Sequence, residues 1–307
     1  MSDTNGEPGG GLSTKRKVFL GLGLYFALIV AAVFAFGKGM KNEAYKPHKE
    51  FKLDPWIDGP GPFDINKGIL YVTLAALLTI IAMTYIAKRM EARPNRVQTA
   101  VEAIFALMRE NISRGNMDRA MARKWFPFIG TIFMFIWFSN FIGYIPMPTN
   151  IEHKTTLLGV TFPSFALYAA TANLSIPLVL ALIVWISFNV EGIKARGFRG
   201  YLKSLIPPGV PKQLRGFIFG LEMMSNFMRL ISLSVRLFAN ILAGHLIILF
   251  MSGALAVILA TVAVGVVTLP LGIMIFIFEV GLVATLQAFI FATLTAIYLG
   301  EATAAEH

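Results

Sequence analysis

The sequence predicts an all-α integral membrane protein with several transmembrane helices, one interfacial amphipathic helix and a C-terminal hairpin of two long, tilted helices. Of its 307 residues, 56 % are hydrophobic and only 14 % are charged, whereas about a quarter are charged in a typical soluble domain. The apolar residues form runs long enough to cross a bilayer. The charged residues cluster between these runs, where positive charge records membrane orientation. The net charge of +10 therefore does not indicate a nucleic acid partner.

The N-terminal part is predicted to contain one span of its own. Lys15-Arg16-Lys17 precede an apolar run at 18–36, a pattern shared by signal peptides and uncleaved signal anchors. The length of the run and the lack of a small-x-small cleavage site after it favour an anchor, although cleavage stays open. We therefore divide the chain into residues 1–67, with a tail, the anchor span and an external loop, and residues 68–307, the membrane domain.

Three further apolar segments predict single transmembrane spans, and they cover residues 68–87, 126–145 and 174–190. Positive charge collects in two of the intervening segments. Residues 88–124 hold nine Lys and Arg against four acids, and residues 191–215 hold six against one. The positive-inside rule places these two segments in the cytoplasm and the loops at 37–67 and 148–172 outside.

The first basic segment also contains apolar residues at helical spacing. This pattern predicts an amphipathic helix that lies on the membrane surface. The residues that form its apolar face are Val97, Val101, Ile104, Phe105, Leu107 and Met108.

The last apolar stretch, residues 217–299, is too long for one perpendicular span of about 20 residues. Ser252-Gly253 is the best candidate for a turn between two helices. Each of these helices would exceed the hydrocarbon thickness of about 30 Å, so we expect both to tilt steeply. Pro270 and Gly272 would permit a bend in the second helix.

A polar stripe is predicted along the first of these long helices. Its members follow one another in steps of three or four residues, so they share one helix face: Glu222, Ser225, Arg229, Ser232, Arg236 and Asn240. His245 lies near the far end of the stripe. Ala239, Ala243 and Gly244 are small enough to let another helix approach closely.

Arg236 lies near the middle of its helix, roughly 20 Å along the axis from either end. An arginine at this depth costs at least about 3 kcal/mol unless it faces a carboxylate or a wet cavity. Two interpretations stay open at this point. Arg236 either belongs to an ion path between proteins or forms a structural ion pair with Glu222 or Glu279.

The sequence lacks the residues and motifs of the common catalytic and metal sites. The sequence contains no Cys, and His48, His153, His245 and His307 show no metal-ligand spacing. It also lacks a Gly-rich phosphate loop, a nucleophile elbow and a zinc-protease helix motif. We therefore expect a protein that is not an enzyme and has neither a cofactor nor a bound metal.

Several segments together resemble the signature of the ATP synthase subunit a family. They are Leu-Glu-Met-Met-Ser at 221–225, Ile-Ser-Leu-Ser-Val-Arg-Leu-Phe-Ala-Asn at 231–240, Ala-Gly-His at 243–245, Leu-Gln-Ala-Phe-Ile-Phe at 286–291 and Thr-Ala-Asn-Leu at 171–174. The last motif often has Asp where this chain has Asn173. The resemblance extends from about Ile69 to the C-terminus and does not include the N-terminal apolar run.

The resemblance implies a proton-translocating stator subunit of a rotary F-type ATP synthase. Its two long C-terminal helices would face a c-ring, and two aqueous half-channels would couple ion flow to ring rotation. Arg236 would face each passing ring carboxylate, favour release of its proton and block a direct leak. The implied partners are the c-ring, b-type subunits of the peripheral stalk, the lipid bilayer and a translocated proton, with Na⁺ not excluded. ATP chemistry would occur in other subunits. The implied location is the bacterial inner membrane, with a multi-pass chain and a cytoplasmic C-terminus.

The resemblance also implies roles for the surrounding polar residues. Asn240, His245 and Gln287 match positions of the entry half-channel, and Glu222, Ser225 and Ser232 match positions toward the exit. The serines have an alternative role as donors to their own helix, and Asn173 has one as a helix cap. Arg229 fits either the exit path or cytoplasmic headgroups.

Glu279 is the predicted carboxylate partner of His245, but its register departs from the family pattern. It precedes Gln287 by eight residues, whereas the family pattern has seven. Eight residues would place Glu279 about 80° away from Gln287 around a continuous α-helix.

A secondary transporter with an intramembrane Arg/Glu site is the alternative function. Such folds usually contain internal repeats with paired broken helices, and the polar stripe has no second copy in the sequence. A purely structural membrane subunit would tolerate replacement of Arg236.

Overall fold

The computed structural model describes residues 53, 55–57, 65–88, 96–157, 160–251 and 262–303, together with isolated positions between 16 and 31. The predicted anchor at 18–36 and the predicted turn at Ser252-Gly253 lie outside these continuous ranges.

The described residues are mostly helical, which confirms the predicted all-α multi-pass membrane protein. Five of the helical segments in these ranges are long and apolar enough to cross a membrane. The helices are α1 (Lys67–Lys88), α2 (Arg96–Ala106, continued by a π-helical segment, Leu107–Arg114), α3 (Arg119–Gly143), α4 (Ser175–Ser204), α5 (Arg215–Leu249), α6 (Val262–Phe278) and α7 (Ala284–Thr303). A π-helical turn, Glu279–Val283, joins α6 to α7.

The segment predicted to be an amphipathic helix is helical and forms α2 and its π-helical continuation. Met108 and Ile112 are buried and belong to the same apolar core as residues of α3 and α7. Leu107 is exposed although it belongs to the predicted apolar face. Its position on the membrane surface stays a prediction.

Helix α3 begins seven residues before the predicted span. Asp118 caps it, since its Oδ2 accepts a hydrogen bond from the backbone N–H of Ala120 at 3.3 Å. The helix ends at Gly143, and Pro146 follows shortly after. The polar first turns therefore extend the helix beyond its apolar part.

Helix α4 also continues beyond its predicted end at Val190. It runs to Ser204 through a kink at Gly197, where φ is 72°. Glycine adopts this left-handed conformation without steric penalty because it lacks a Cβ atom. The basic segment that follows the span is therefore partly helical.

Two segments between the spans are paired strands, although they were predicted only as loops. Strands β1 (Pro55–Ile57) and β2 (Ile65–Asn66) pair antiparallel, as do β3 (Met147–Leu157) and β4 (Val160–Ala166). The longer pair falls within the predicted external loop at 148–172. Pairing satisfies backbone groups that a loop would leave to water.

Small residues allow α7 to pack closely against α3 and α4. Ala284, Ala288, Ala292 and Ala296 are fully buried and follow one another at four-residue spacing. This spacing puts them on one helix face, and short side chains let backbones approach. The facing core residues of α3 are large and apolar: Ile129, Ile132, Phe133 and Ile136.

The segments predicted to be outside and the segments predicted to be cytoplasmic lie at opposite ends of the helices. At one end, Tyr71 of α1 contacts Tyr168 edge-to-face at 5.4 Å. Burial raises the pKa of Tyr168 to about 12, so this phenol stays neutral. At the other end, Lys124 of α3 pairs with Glu191 of α4. The predicted sidedness is therefore compatible with the packing.

The chain divides into two compact units. One consists of His48–His245 and Ile277–His307 and contains all the packing described above. The other consists of Met1–Pro47 and Leu246–Phe276, and its described part includes the end of α5 and most of α6, which is helical through Pro270. The predicted boundary between residues 67 and 68 stays a prediction.

The pair between Lys124 and Glu191 yields a stability prediction. Glu191 is buried, so Lys124→Ala leaves a buried carboxylate without its partner, and such an ion is strongly destabilising. We expect a clear fall in the amount of folded protein in membranes, and recovery when Glu191→Gln is added. Arg114→Ala, which breaks an exposed pair with Glu110, should have little effect because exposed pairs contribute about 0–1 kcal/mol. Equal losses for Lys124→Ala and Arg114→Ala would contradict the prediction.

Candidate functional site

Helix α5 has two distinct faces. One is buried against the rest of the protein and contains Asn226, Leu230, Leu233, Leu237, Ile241, Gly244 and His245. The predicted polar stripe lies largely outside this face, since Ser225, Ser232, Arg236 and Asn240 are exposed and Glu222 and Arg229 are half-buried. The stripe is flanked by exposed apolar residues, including Phe227, Met228 and Val235.

Arg236 has no ionic partner among the described residues. Neither Glu222 nor Glu279, the two candidates from sequence, forms an ion pair with it. The guanidinium is exposed on the stripe. Neither structural ion pair considered above is therefore formed between these described residues.

The first link between α5 and α7 joins two predicted path residues. The side-chain amide of Asn240 donates a hydrogen bond to Oε1 of Gln287 at 2.9 Å. Gln287 is only 1 % exposed, whereas Asn240 reaches the exposed face. The pair therefore connects the surface beside Arg236 with the interior.

A second link brings His245, Glu279 and Tyr144 together one turn farther along α5. The ring of Tyr144 stacks on that of His245 with centroids 4.6 Å apart. Its hydroxyl donates to Oε2 of Glu279 at 3.1 Å. All three residues are buried. Tyr144 therefore connects the histidine and the carboxylate, through its ring on one side and its hydroxyl on the other.

The two ring nitrogens of His245 both face carbonyl oxygens. Nδ1 lies 3.0 Å from the oxygen of Ile241, and Nε2 lies 3.1 Å from that of Gly143. A neutral imidazole has one N–H and satisfies one of these acceptors, whereas the imidazolium satisfies both. The two carbonyl oxygens therefore provide acceptors for both N–H groups of a protonated ring.

The π-helical turn explains the register of Glu279. This turn begins at Glu279 and takes up one residue more than an α-helical turn. Glu279 packs against Gly244 of α5, and Gln287 bonds Asn240 of the same helix. Both side chains therefore face α5, and the rotation expected for a continuous α-helix does not separate them.

Gly244 provides the space for this carboxylate. A Cβ atom at this position would overlap the Glu279 carboxylate oxygens. The close approach predicted at the small residues thus occurs at Gly244, whereas Ala239 and Ala243 are exposed.

Polar residues at the other end of α5 line a cavity of about 130 Å³ that includes Glu222, Asn226, Arg229 and Glu301. Arg229 donates to Oε2 of Glu301 at 2.7 Å, and its guanidinium lies 4.9 Å from the centre of the Tyr298 ring. Arg229 is therefore held by α7. Ser225 and Ser232 are outside this cavity and make no hydrogen bond within the described part of the chain.

Asn173 acts locally in the structure. Its Oδ1 accepts a hydrogen bond from the backbone N–H of Ser175 at 3.0 Å, at the beginning of α4. This is the helix-capping role considered as an alternative. Beside it, Thr171 donates to Oδ1 of Asn140 at 2.6 Å.

Tyr144 and Glu301 are the site residues that sequence reasoning missed. Tyr144 is at the end of a span, where a tyrosine at the membrane interface is ordinary. Glu301 is near the C-terminus, outside any recognised motif. Only the packing of α3, α5 and α7 brings them to the path residues. In the ranges that the structure covers, no group of three His, Cys, Asp or Glu residues could hold a metal ion.

Comparison with known proteins identifies the family. The family model for the ATP synthase A chain matches residues 69–300. ATP synthase subunit a of Rubrobacter xylanophilus is 34 % identical over 245 residues, which cover 79 % of this chain and 85 % of that protein. The subunit a of Methylobacterium sp. strain 4-46 is 32 % identical over 83 % of this chain and 96 % of its own length. That of Maricaulis maris is 31 % identical over 76 % and 86 %. By these matches, the chain belongs to the ATP synthase A chain family.

Proposed function

We propose that this chain is the proton-translocating stator subunit of a rotary F-type ATP synthase. Arg236 faces the carboxylates of a c-ring, between two aqueous half-channels that couple ion flow to ring rotation. The observation that carries this proposal is the exposed Arg236 on a polar stripe of α5, without an ionic partner in the described chain.

The energetics of Arg236 require a partner outside the described residues. A guanidinium in the hydrocarbon region needs a carboxylate, backbone carbonyls or water around it. The exposed apolar residues beside the stripe suit a protein partner that also covers apolar surface. A ring of helices that each present one carboxylate meets both requirements. A fixed positive charge also favours the ionised form of such a carboxylate, so its proton leaves as it passes.

The entry half-channel uses the two links between α5 and α7. Glu279, Tyr144 and His245 form its outer part, and Gln287 and Asn240 form its inner part, which ends beside Arg236. The histidine and the carboxylate are the proton-binding groups of the outer part, whereas the two amides of the inner part can hold water. On α5 the path therefore runs from His245, beside Glu279, through Asn240 to the exposed stripe that contains Arg236.

The exit half-channel uses the other end of the stripe. Ser232 and Ser225 follow Arg236 toward Glu222, which lines the cavity with Arg229 and Glu301. The ion pair of Arg229 with Glu301 keeps this cation away from Arg236. Asn173 acts in this proposal as a cap of α4 rather than as a relay.

The remaining features follow from this role. The subunit is not an enzyme, and ATP chemistry takes place in other subunits. Its partners are the c-ring, b-type peripheral-stalk subunits and the bilayer. The coupling ion is a proton, and the residues named here leave Na⁺ open. The protein spans a bacterial inner membrane several times with a cytoplasmic C-terminus, since Glu301 pairs with Arg229 at the end of α5 that follows the basic segment 191–215.

ATP-driven acidification of vesicles that carry the whole complex tests this function. We expect Arg236→Ala to reduce acidification to background while the complex still assembles, because the ring carboxylates lose the cation that releases their protons. Arg199→Ala removes the same charge from an exposed site on α4 and should pump at the wild-type rate. Normal pumping by Arg236→Ala would rule out the mechanism and leave Arg236 as a structural charge.

A further inference from the structure

Tyr144 stands out among the buried polar groups. It lies just beyond α3, after Gly143, and its hydroxyl and ring contact two path residues on two other helical segments. The hydroxyl donates to Glu279, and the ring stacks on His245. Among the described side chains, Tyr144 alone joins both residues through a hydrogen bond and a ring contact.

The contacts of Glu279 show why its orientation depends on Tyr144. The carboxylate packs against Gly244, which has no side chain that could donate a hydrogen bond. Among the described residues, the hydroxyl of Tyr144 is the one side-chain group that donates a hydrogen bond to this carboxylate. In a buried site a single bond to a charged group contributes strongly to its orientation. Without it the side chain, which begins at a π-helical turn, has several rotamers of similar energy.

The backbone before Tyr144 also holds the histidine. The carbonyl oxygen of Gly143 faces Nε2 of His245 at 3.1 Å, and the next residue stacks on the same ring. One short segment, Gly143-Tyr144, therefore contacts the imidazole through both its edge and its face and the carboxylate through a hydroxyl. Such a segment fixes the relative positions of two groups between which a proton must pass.

We propose that Tyr144 is a positioning residue of the entry half-channel, which holds the Glu279 carboxylate in register with His245. This inference rests on the function proposed above and extends it to a residue outside the polar stripe. The phenol acts through its hydroxyl and its ring, and it need not exchange its own proton. Its loss displaces Glu279 and slows proton delivery to the ring, but it leaves Arg236 and the barrier against leak in place.

The test compares Tyr144→Phe with Tyr168→Phe in vesicles that carry the assembled complex. Both variants remove one buried phenol hydroxyl and keep the ring, but the hydroxyl of Tyr168 bonds neither His245 nor Glu279. ATP-driven acidification and its pH profile are measured for each complex. For Tyr144→Phe we expect at least about tenfold slower acidification, the factor expected for one lost hydrogen bond to a charged group, and a displaced pH profile. Tyr168→Phe should retain the wild-type rate and profile.

An unchanged rate and pH profile for Tyr144→Phe would overturn the inference. If Tyr144→Phe does not assemble, 3-fluorotyrosine at position 144 replaces it, since it keeps ring and hydroxyl but makes the hydroxyl a stronger acid. The pH profile should then move, and an unmoved profile would again overturn the inference. The Arg236→Ala result distinguishes a failure of the proposed function from a failure of the positioning role of Tyr144. Loss of pumping in Arg236→Ala together with wild-type behaviour in Tyr144→Phe would reject the positioning role alone.

Discussion

Vesicles that carry the Arg236→Ala complex, stripped of the soluble ATPase sector, are expected to conduct protons passively about tenfold faster than wild-type vesicles. A unit charge repels a proton at about 10 Å by about 1.7 kcal/mol at an effective dielectric constant of about 20. Every 1.4 kcal/mol of barrier changes a rate about tenfold. Removal of the cation therefore lowers the electrostatic barrier to proton movement between the two half-channels.

Arg236→Lys separates the charge from the shape of the side chain. Lysine keeps the positive charge, so the passive leak should stay low. Its ammonium lacks the planar fork of donors that matches a carboxylate, so ATP-driven pumping should still fall. A pH-sensitive dye inside the vesicles measures both rates. A low leak in Arg236→Ala would show that Arg236 does not separate the half-channels, even if pumping is lost.

Gly244→Ala is expected to reduce pumping at least tenfold, which is the second large effect. The new Cβ atom would overlap the Glu279 carboxylate, so either the carboxylate turns away or α5 and α7 move apart. Overpacking of this kind costs about 1–3 kcal/mol, and it acts here on a charged group whose only described donor is Tyr144. Pumping and the melting temperature of the purified complex are measured together.

Gly220→Ala is the matched control for this substitution. It makes the same change in the same helix, but no atom lies within 4 Å of a Cβ placed there. Alanine is favoured over glycine in a helix by about 0.5–1 kcal/mol, so this variant should be as stable as wild type or slightly more so. Glu279→Asp added to Gly244→Ala shortens the overlapping side chain and should recover stability. Wild-type pumping by Gly244→Ala would show that the site does not need Glu279 in its present position.

Arg236→Ala and Gly244→Ala should have different effects because the two residues lie on different faces of α5. Arg236 lies on the exposed face of α5, so its removal leaves the packing of α3, α5 and α7 intact and changes the electrostatic barrier. Gly244 lies on the buried face, so its substitution changes the position of a proton-binding group and leaves the barrier intact. The first variant should leak, and the second should not.

Most of the helices could be predicted because their lengths follow from bilayer thickness. The spans at 68–87, 126–145 and 174–190 correspond to α1, α3 and α4, and the long stretch after 216 contains α5 and α7. The predicted ends of these helices were less accurate. Helix α3 begins earlier, after the cap at Asp118, and α4 continues through the left-handed Gly197 into the basic segment. The paired strands β3 and β4 were missed because these segments show no strong alternation of polar and apolar residues.

The sequence by itself determined the membrane class, the polar stripe and the position of Arg236 on it, because these depend on local periodicity and on the cost of a charge in lipid. Tertiary structure alone decided which groups meet. The pairs Asn240–Gln287 and Arg229–Glu301 and the Tyr144–Glu279–His245 contact join residues 47 to 135 positions apart. Glu279 shows the reason most clearly. A one-residue offset would turn it away from α5 in a regular α-helix, and only a π-helical turn, stabilised by packing on Gly244, brings it back.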